Sequence, residues 1–188
     1  MEVKRILLVD NYDSFSYTIV DYLRQCGVVV DIKKRDELEV SDIHLFDGIV
    51  FSPGPGNPEK LQFLMDLVSE SVKWKPTLGI CLGFQAIAYY FGSRIRKGMP
   101  VHGKLSTVFT IEKGRLTEGL PDKFEVVRYH SLFVDLDSSP LKALLQTSNN
   151  EIMAFEHPDL PVMAVQFHPE AYLSQFGIHI FQNWLKFC

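Results

Sequence analysis

Short apolar runs alternate with longer stretches of helical periodicity through the first half of the chain. Brief apolar runs bounded by turn residues are typical of buried strands, whereas apolar residues three and four positions apart indicate a helix with one buried face. The pattern predicts strands over 5–9, 28–33, 48–52 and 76–80, and helices over 14–25, 59–74 and 84–91. This alternation indicates βαβ units, a parallel sheet and helices on both of its faces.

The second half changes to closely spaced strand candidates, which favours an antiparallel extension of the sheet. These strands are predicted over 106–111, 124–128, 132–136, 143–147, 152–156 and 162–167. A last helix over 174–187 carries apolar residues at helical spacing and should pack on the sheet. No linker or repeat interrupts the pattern, so we expect one domain over residues 1–188, with an α/β fold and an open, mostly parallel sheet.

Composition narrows the class of protein without identifying it. The 188 residues are 46% hydrophobic and 22% charged, as in a globular chain, and the net charge of −4 offers no bulk positive field for nucleic acid or an anionic membrane surface. The longest apolar run, 86–91, is far shorter than the roughly 20 residues of a membrane span, and the run 6–9 is too short for a signal peptide. Three widely spaced cysteines argue against a disulfide framework, so we expect a cytoplasmic protein.

Three predicted loops fall at the carboxyl ends of strands, where open parallel sheets bind ligands. The first, 52–58, reads Ser-Pro-Gly-Pro-Gly-Asn-Pro. Its prolines and glycines favour a rigid backbone that can approach a ligand closely and present N–H groups to it. A stiff turn before a helix explains the same composition, so the loop alone leaves both interpretations open.

The second loop, Gly79-Ile80-Cys81-Leu82-Gly83, lies between a predicted strand and a predicted helix. Glycine two positions to either side of a reactive residue permits the sharp turn of a nucleophile elbow. That turn would place Cys81 at a helix N-terminus, which favours the thiolate, and the Leu82 N–H and a Gly54–Gly56 N–H would form an oxyanion hole. A lone cysteine is more often an inert buried residue, and that interpretation is kept for Cys26 and Cys188.

The third loop contains His168-Pro169-Glu170 directly after a predicted strand. A cysteine nucleophile needs a base such as imidazole, and a carboxylate can fix the orientation of that ring. We expect the two side chains to point to one side of an extended strand end. A structural histidine is the common alternative, and other histidines compete for the role: His44, His102, His130, His157 and His179.

Metal and phosphate sites are poorly supported. No Cys or His pair has the spacing of two to five residues that is typical of zinc ligands. The loop 10–15 follows the first strand but lacks glycine and holds two acids, which disfavours a bound anion. We expect Asp13 or Ser14 to serve as the N-cap of the first helix instead.

Taken together, six motifs spread over nearly the whole chain resemble the class I, triad-type glutamine amidotransferases. Within that family they are most similar to the small subunits of anthranilate synthase and aminodeoxychorismate synthase. The motifs are Val9-Asp10-Asn11-Tyr12-Asp13-Ser14-Phe15, the 52–58 loop, Gly79-Ile80-Cys81-Leu82-Gly83-Phe84-Gln85-Ala86, His102-Gly103-Lys104, Arg128-Tyr129-His130-Ser131-Leu132, and Ala164-Val165-Gln166-Phe167-His168-Pro169-Glu170. The stretch 11–14 separates these small subunits from the amidotransferases of GMP synthetase and carbamoyl phosphate synthetase.

The resemblance implies L-glutamine hydrolysis by a Cys81, His168 and Glu170 triad, through a glutamyl thioester. It also implies that Gly54, Pro55 and Gly56 line the oxyanion side, and that Gln85 and the Ser131–Leu132 backbone hold the α-carboxylate and α-amino groups of glutamine. Ammonia would pass to a separate chorismate-binding synthase subunit. That partner would bind Mg²⁺, and this chain would hold no cofactor.

Two positions depart from the family pattern. Phe84 stands where many relatives have His, and Ala171 follows the His-Pro-Glu sequence where Ser is usual. Neither belongs to the triad, so we expect the chemistry to survive and only the packing around the site or the coupling to a partner to change.

Two other functions stay open beside anthranilate or aminodeoxychorismate synthesis. One is a different thiol hydrolase, such as a γ-glutamyl hydrolase. The other is a catalytically silent module that docks on a protein partner.

Overall fold

A computed structural model describes residues 3–137 and 139–188. Nine strands of this described part form one sheet in the order β2-β1-β3-β4-β9-β8-β7-β5-β6. The parallel part contains β1 (Arg5–Asp10), β2 (Val29–Lys34), β3 (Gly48–Phe51), β4 (Thr77–Ile80) and β9 (Val162–Val165). The antiparallel extension contains β8 (Ile152–Glu156), β7 (Lys142–Thr147), β5 (Arg94–Thr110) and β6 (Lys123–Asp135). The expected open sheet with an antiparallel extension is confirmed.

Within residues 3–137 and 139–188, four α-helices cover the two faces of the sheet. They are α1 (Ser16–Gln25), α2 (Gln62–Trp74), α3 (Leu82–Tyr90) and α4 (Gly177–Leu185). Successive residues of a strand point to opposite faces, so Ile6 and Leu8 of β1 pack with α1 and α4, whereas Leu7 and Val9 pack with α2 and α3. Both faces are apolar because both are covered. Within the described residues, no helix is long and apolar enough to cross a membrane.

Helix boundaries differ modestly from the sequence expectation. The helix expected over 59–74 begins as a 3-10 turn, Pro58–Lys60, and becomes α-helical only at Gln62. The last helix spans Gly177–Leu185 rather than 174–187. The first helix begins at Ser16, and its N-cap is Phe15 without a side-chain cap, so the expectation of Asp13 or Ser14 as the N-cap is wrong. Asp13 instead accepts a hydrogen bond from the N–H of Phe15.

The largest difference is the long β5–β6 hairpin. The two strands expected over 124–128 and 132–136 form one continuous strand, β6, and its partner β5 extends back to Arg94 rather than beginning at 106. The part of β5 before residue 106 is mostly exposed and lacks a regular apolar alternation, so its sequence gives no strand signal. The hairpin places β6 at the outer edge of the sheet while bringing its centre beside α3 and beside His168, which follows β9.

Candidate active site

The link between β4 and α3 is an elbow centred on Cys81. Cys81 has φ 53° and ψ −97°, a conformation that non-glycine residues rarely adopt. A Cβ on Gly79 would lie 2.6 Å from the Gly83 backbone, and one on Gly83 would lie 2.3 Å from the carbonyl oxygen of Phe51 on β3. The two glycines therefore let the turn close against the central strands, as the sequence predicts.

The elbow places the Cys81 thiol at the N-terminus of α3. The Cys81 N–H donates to the Val165 carbonyl at the end of β9, and the Cys81 carbonyl accepts from the Gln85 N–H in the first helical turn. Backbone N–H groups at the start of a helix have no partners within that helix, and the helix dipole favours negative charge there. Leu82 is the first residue of α3, and its side chain is buried in the core.

His168 and Glu170 form a buried pair next to this thiol. His168 Nδ1 and Glu170 Oε1 are 2.7 Å apart, and both side chains are almost fully buried. The N–H of His168 donates to the Val127 carbonyl of β6, and that of Ala171 donates back to the His168 carbonyl. The segment is therefore a turn, and the expected extended strand end is wrong; the turn brings the carboxylate back to the ring.

The surroundings of His168 favour its protonated form. Burial by itself lowers the pKa of His168, but the interactions of its ring with Cys81 and Glu170 outweigh burial and raise that pKa to about 10. The second ring nitrogen, Nε2, is buried without a hydrogen bond of ordinary geometry. Catalytic hydrogen bonds are often long before substrate binds. At neutral pH the His168 ring therefore carries a proton.

Two aromatic rings enclose the imidazole of His168. The ring centroids of Phe15 and Tyr129 lie 5.1 Å and 5.2 Å from that of His168, and both rings meet it edge to face. They are 5.5 Å from each other and so close one side of the site. The sequence assigned neither Phe15 nor Tyr129 a role, because an aromatic residue in a motif does not indicate which ring it will pack against in the fold.

The loop 11–15, which carries Phe15, is held in place by Asp10 and Ser52. Asp10 Oδ1 accepts hydrogen bonds from the N–H of Tyr12 and from the hydroxyl of Ser16. Asn11 is buried and joined to Ser52 by its N–H, at 2.8 Å, and by its side-chain amide, at 2.9 Å. The first two sequence motifs thus form one rigid unit beside the thiol.

Two cavities meet at Cys81. A cavity of about 170 Å³ is lined by Gly54, Pro55, Gly56, Cys81, Gln85, Tyr129, His130, Ser131 and Leu132. A cavity of about 610 Å³ on the His168 side is lined by Tyr12, Asp13, Ser14, Phe15, Pro53, Gly54, Pro55, Cys81, His102, Tyr129 and His168. Apart from Leu82, every residue that the sequence associates with glutamine or the oxyanion hole lines the smaller cavity.

The remaining candidates lie elsewhere or serve packing. Phe84 is fully buried and stacks on Phe155 with centroids 4.6 Å apart, and Ala171 is buried. Cys26 is the C-cap of α1, and the Cys188 thiol and the Trp184 ring both lie close to Gly48. Burial raises the pKa of the Cys188 thiol to about 12. Among residues 3–137 and 139–188, no group of three or more His, Cys, Asp or Glu side chains is arranged to hold a metal ion.

The fold is an open α/β sheet, and a cysteine elbow and a His–Glu pair lie at the carboxyl edge of that sheet. This arrangement defines the class of the chain as an α/β enzyme with a cysteine nucleophile. A family model, "Glutamine amidotransferase class-I", matches residues 7–187. The chain therefore belongs to the class I glutamine amidotransferase family, and it is a glutamine amidotransferase.

Relatives and a solved structure agree with this assignment. The chain is 43% identical to "Anthranilate synthase component 2" of Mycobacterium tuberculosis, covering 98% of this chain and 82% of the relative. It is 36% identical to "Aminodeoxychorismate/anthranilate synthase component 2" of Bacillus subtilis, covering 96% and 95%. A crystal structure from Thermoplasma acidophilum, described as that of a putative GMP synthase subunit, superposes with a TM-score of 0.91 at 29% identity, covering 100% of this chain and 95% of that one.

Proposed function

We propose that this chain hydrolyses L-glutamine at Cys81 and delivers the ammonia to a chorismate-using synthase subunit that makes anthranilate. The observation that carries the proposal is the buried His168–Glu170 pair beside a thiol at the N-terminus of α3. This arrangement supplies a nucleophile, a proton-transfer group and a carboxylate that orients it.

In the first half of the reaction, the Cys81 thiolate attacks the side-chain amide carbon of glutamine, and a C–S bond forms. His168 gives its proton to the departing nitrogen, the C–N bond breaks, and ammonia leaves behind a glutamyl thioester. In the second half, water attacks the thioester while His168 takes its proton, the C–S bond breaks, and glutamate is released. Glu170 keeps the imidazole in the orientation that both transfers need.

The smaller cavity is the proposed glutamine site. Gln85 and the backbone of Ser131 and Leu132 hold the α-amino and α-carboxylate groups. The Leu82 N–H and an N–H of Gly54–Gly56 stabilise the oxyanion that forms at the attacked carbon. These roles fit a cavity whose lining contains the thiol at one point and those polar groups at others.

The proposed partner is a chorismate-binding synthase large subunit, which would also hold the Mg²⁺ that chorismate chemistry needs. The names of the relatives, as component 2 of a synthase, support a heteromeric complex. Exposed apolar side chains support it too: Tyr172 is 95% exposed and Leu173 62% exposed, two and three residues after Glu170, and Tyr12, which lines the larger cavity, is 44% exposed. Such side chains favour burial against another protein. We place the complex in the cytoplasm.

The test is product identification after this purified chain is mixed with glutamine, chorismate, Mg²⁺ and each candidate synthase subunit from the same genome. We expect anthranilate with one of them. Aminodeoxychorismate, or both products, would instead indicate folate synthesis or a shared role, which the Bacillus subtilis relative's name makes the second candidate.

A glutamine analogue with a γ-chloroketone tests the glutaminase half separately, by its added mass at Cys81. No labelling, with or without partner, together with no glutamate release, would contradict the proposal and favour a silent docking module. Cleavage of γ-glutamyl peptides without cleavage of glutamine would favour a γ-glutamyl hydrolase.

A further inference from the structure

The proposed glutamine site draws one wall from the outermost strand of the sheet. Tyr129 to Leu132 lie in β6, which pairs along its length with β5. That ladder is interrupted at this point, because Val101 pairs with His130 and Lys97 pairs with Leu132, so that the segment 98–100 of β5 bulges opposite Ser131. Ladder hydrogen bonds alone therefore do not fix the backbone that meets the substrate.

A buried polar network ties this segment to the rest of the sheet. Arg128 Nη2 donates to Glu151 Oε2 at 2.7 Å, and Arg128 Nε donates to His130 Nε2 at 3.1 Å. Glu151 is itself held by the hydroxyl of Thr147 at 3.0 Å. Because Arg128 always donates, His130 Nε2 must accept, and the ring proton must lie on Nδ1.

That ring proton is directed at the backbone of the glutamine-binding segment. His130 Nδ1 donates to the Leu132 carbonyl at 2.9 Å. The same carbonyl is approached from α3 by Gln85 Nε2, at 3.5 Å, and Gln85 in turn donates to Gln166 Oε1 at 3.2 Å. Burial and the neighbouring Arg128 charge lower the pKa of His130 to about 4, so the neutral ring persists at physiological pH.

We propose that His130 is a positioning residue for glutamine recognition, which acts through the Leu132 carbonyl to hold the Ser131–Leu132 backbone in the orientation that receives the α-amino and α-carboxylate groups. The inference rests on the proposed glutaminase function. Arg128 fixes the tautomer of His130, and Glu151 fixes Arg128, so a chain of hydrogen-bonded side chains, of which Arg128 and His130 are buried, runs from the β7–β8 turn to the substrate wall. None of these hydrogen bonds involves the Cys81 thiol or His168, so loss of the network should weaken binding more than chemistry.

Three substitutions separate the two hydrogen bonds of His130 from its packing. H130F keeps the ring volume against Phe133, whose centroid is 4.8 Å away, but removes both hydrogen bonds. H130N places an amide N–H near the position of Nδ1 and so keeps the donor to Leu132. H130Q places its amide near Nε2, facing Arg128, and does not reach the Leu132 carbonyl.

Labelling of Cys81 by the γ-chloroketone analogue of glutamine measures binding and chemistry separately, as the half-saturating concentration and the maximal rate. For H130F and H130Q we expect the half-saturating concentration to rise about tenfold, which corresponds to about 1.4 kcal/mol, with the maximal rate within about threefold of the wild type. H130N should recover most of the binding. Alkylation of Cys81 by iodoacetamide, which lacks the amino acid groups, should be equally fast in all four proteins.

H157F is the matched control. His157 also lies against an aromatic ring, Phe91, at 4.9 Å, and its Nδ1 accepts backbone hydrogen bonds from Asp159 and Leu160, but it lies outside both cavities at Cys81. Its half-saturating concentration should match that of the wild type.

Unchanged binding in H130F and H130Q would overturn the inference, and so would an equal loss in H130N. If H130F does not fold, as judged by its thermal transition, the comparison of H130N with H130Q decides. A wild-type chain that is neither labelled by the analogue nor able to release glutamate would contradict the proposed function instead.

Discussion

Cys81 and the 129–132 segment of β6 border the same cavity but are held by different forces. The elbow is fixed by backbone contacts, since Gly79 packs on Gly83 and Gly83 packs on Phe51 in the middle of the sheet. The β6 segment lies on the edge strand and is fixed by buried charges and side-chain hydrogen bonds. The position of the Cys81 thiol thus depends on close packing, and that of the 129–132 segment depends on a polar network.

The difference predicts how each region fails. Close backbone contacts do not titrate, so the elbow should tolerate changes of pH and be sensitive to added volume. A buried network loses more than one interaction when one member is removed or changes its protonation state. The following changes test each half of that contrast.

Removing the thiol should have the largest effect. C81A deletes the proposed nucleophile while keeping a Cβ at the same strained backbone position. We expect glutamate release to fall at least about 10³-fold and analogue labelling to disappear. The thermal transition should remain close to that of the wild type, because the elbow is held by its glycines.

C26A is the matched control, since Cys26 is the C-cap of α1 and lies outside both cavities at Cys81. Its glutaminase activity should equal that of the wild type. Substantial glutamate release by C81A would contradict the assignment of the nucleophile.

Replacing the carboxylate of the buried pair should have the next largest effect. E170Q removes a negative charge that raises the pKa of His168, and we expect kcat to fall about 10²-fold. In the wild type, activity should decline at alkaline pH as His168 loses its proton near pH 10. In E170Q this alkaline limb should move to lower pH, because the charge that raised the pKa is gone. Profiles of kcat against pH for both proteins check the sign, and an unmoved or upward-shifted limb would contradict it.

Adding one carbon to the elbow should cost folding stability. The Cβ of G83A would lie 2.3 Å from the Phe51 carbonyl oxygen, a backbone atom that cannot move without shifting β3. We expect a loss of about 3 kcal/mol in the free energy of unfolding, measured with urea.

G92A is the control for backbone strain alone. Gly92 has φ +86° but nothing within 4 Å of the added Cβ, so its cost should be only about 1–2 kcal/mol. Equal losses in G83A and G92A would show that contact with β3 does not hold the elbow.

The two regions also differ in how far sequence could predict them. The elbow follows from Gly79, Cys81 and Gly83 between a buried strand and a helix, so local spacing suffices. The local pattern also predicts the parallel strands, because a continuous apolar run indicates a strand that is covered on both faces.

The polar network that holds the 129–132 segment could not be predicted from local spacing. Its members come from three separate stretches of the chain, at Gln85, at Arg128 and His130, and at Glu151, which meet only when β6 reaches the β7–β8 turn and α3. In a local pattern, such polar residues indicate a strand end or an exposed surface. The sequence therefore predicts two strands, interrupted at 129–131, where the structure has the single strand β6. A charged side chain is buried only where a partner offsets its loss of hydration, and a local sequence pattern does not show that partner.

The smallest predicted effect concerns the response of the network to pH. His130 has a folded-state pKa of about 4, below its ordinary value of 6.5. Between these values the unfolded chain binds a proton that the folded chain does not, so stability falls as pH falls through this window. Each pH unit removes up to about 1.4 kcal/mol. H130N lacks this group, so the stability advantage of the wild type over H130N should shrink by about 1.5 kcal/mol between about pH 6.5 and pH 5. Urea unfolding of both proteins measures the difference, in which groups common to both cancel. A constant difference would mean that His130 is protonated or exposed in the folded protein. The polar network would then not make stability depend on pH, and this part of the contrast with the packed elbow would be contradicted.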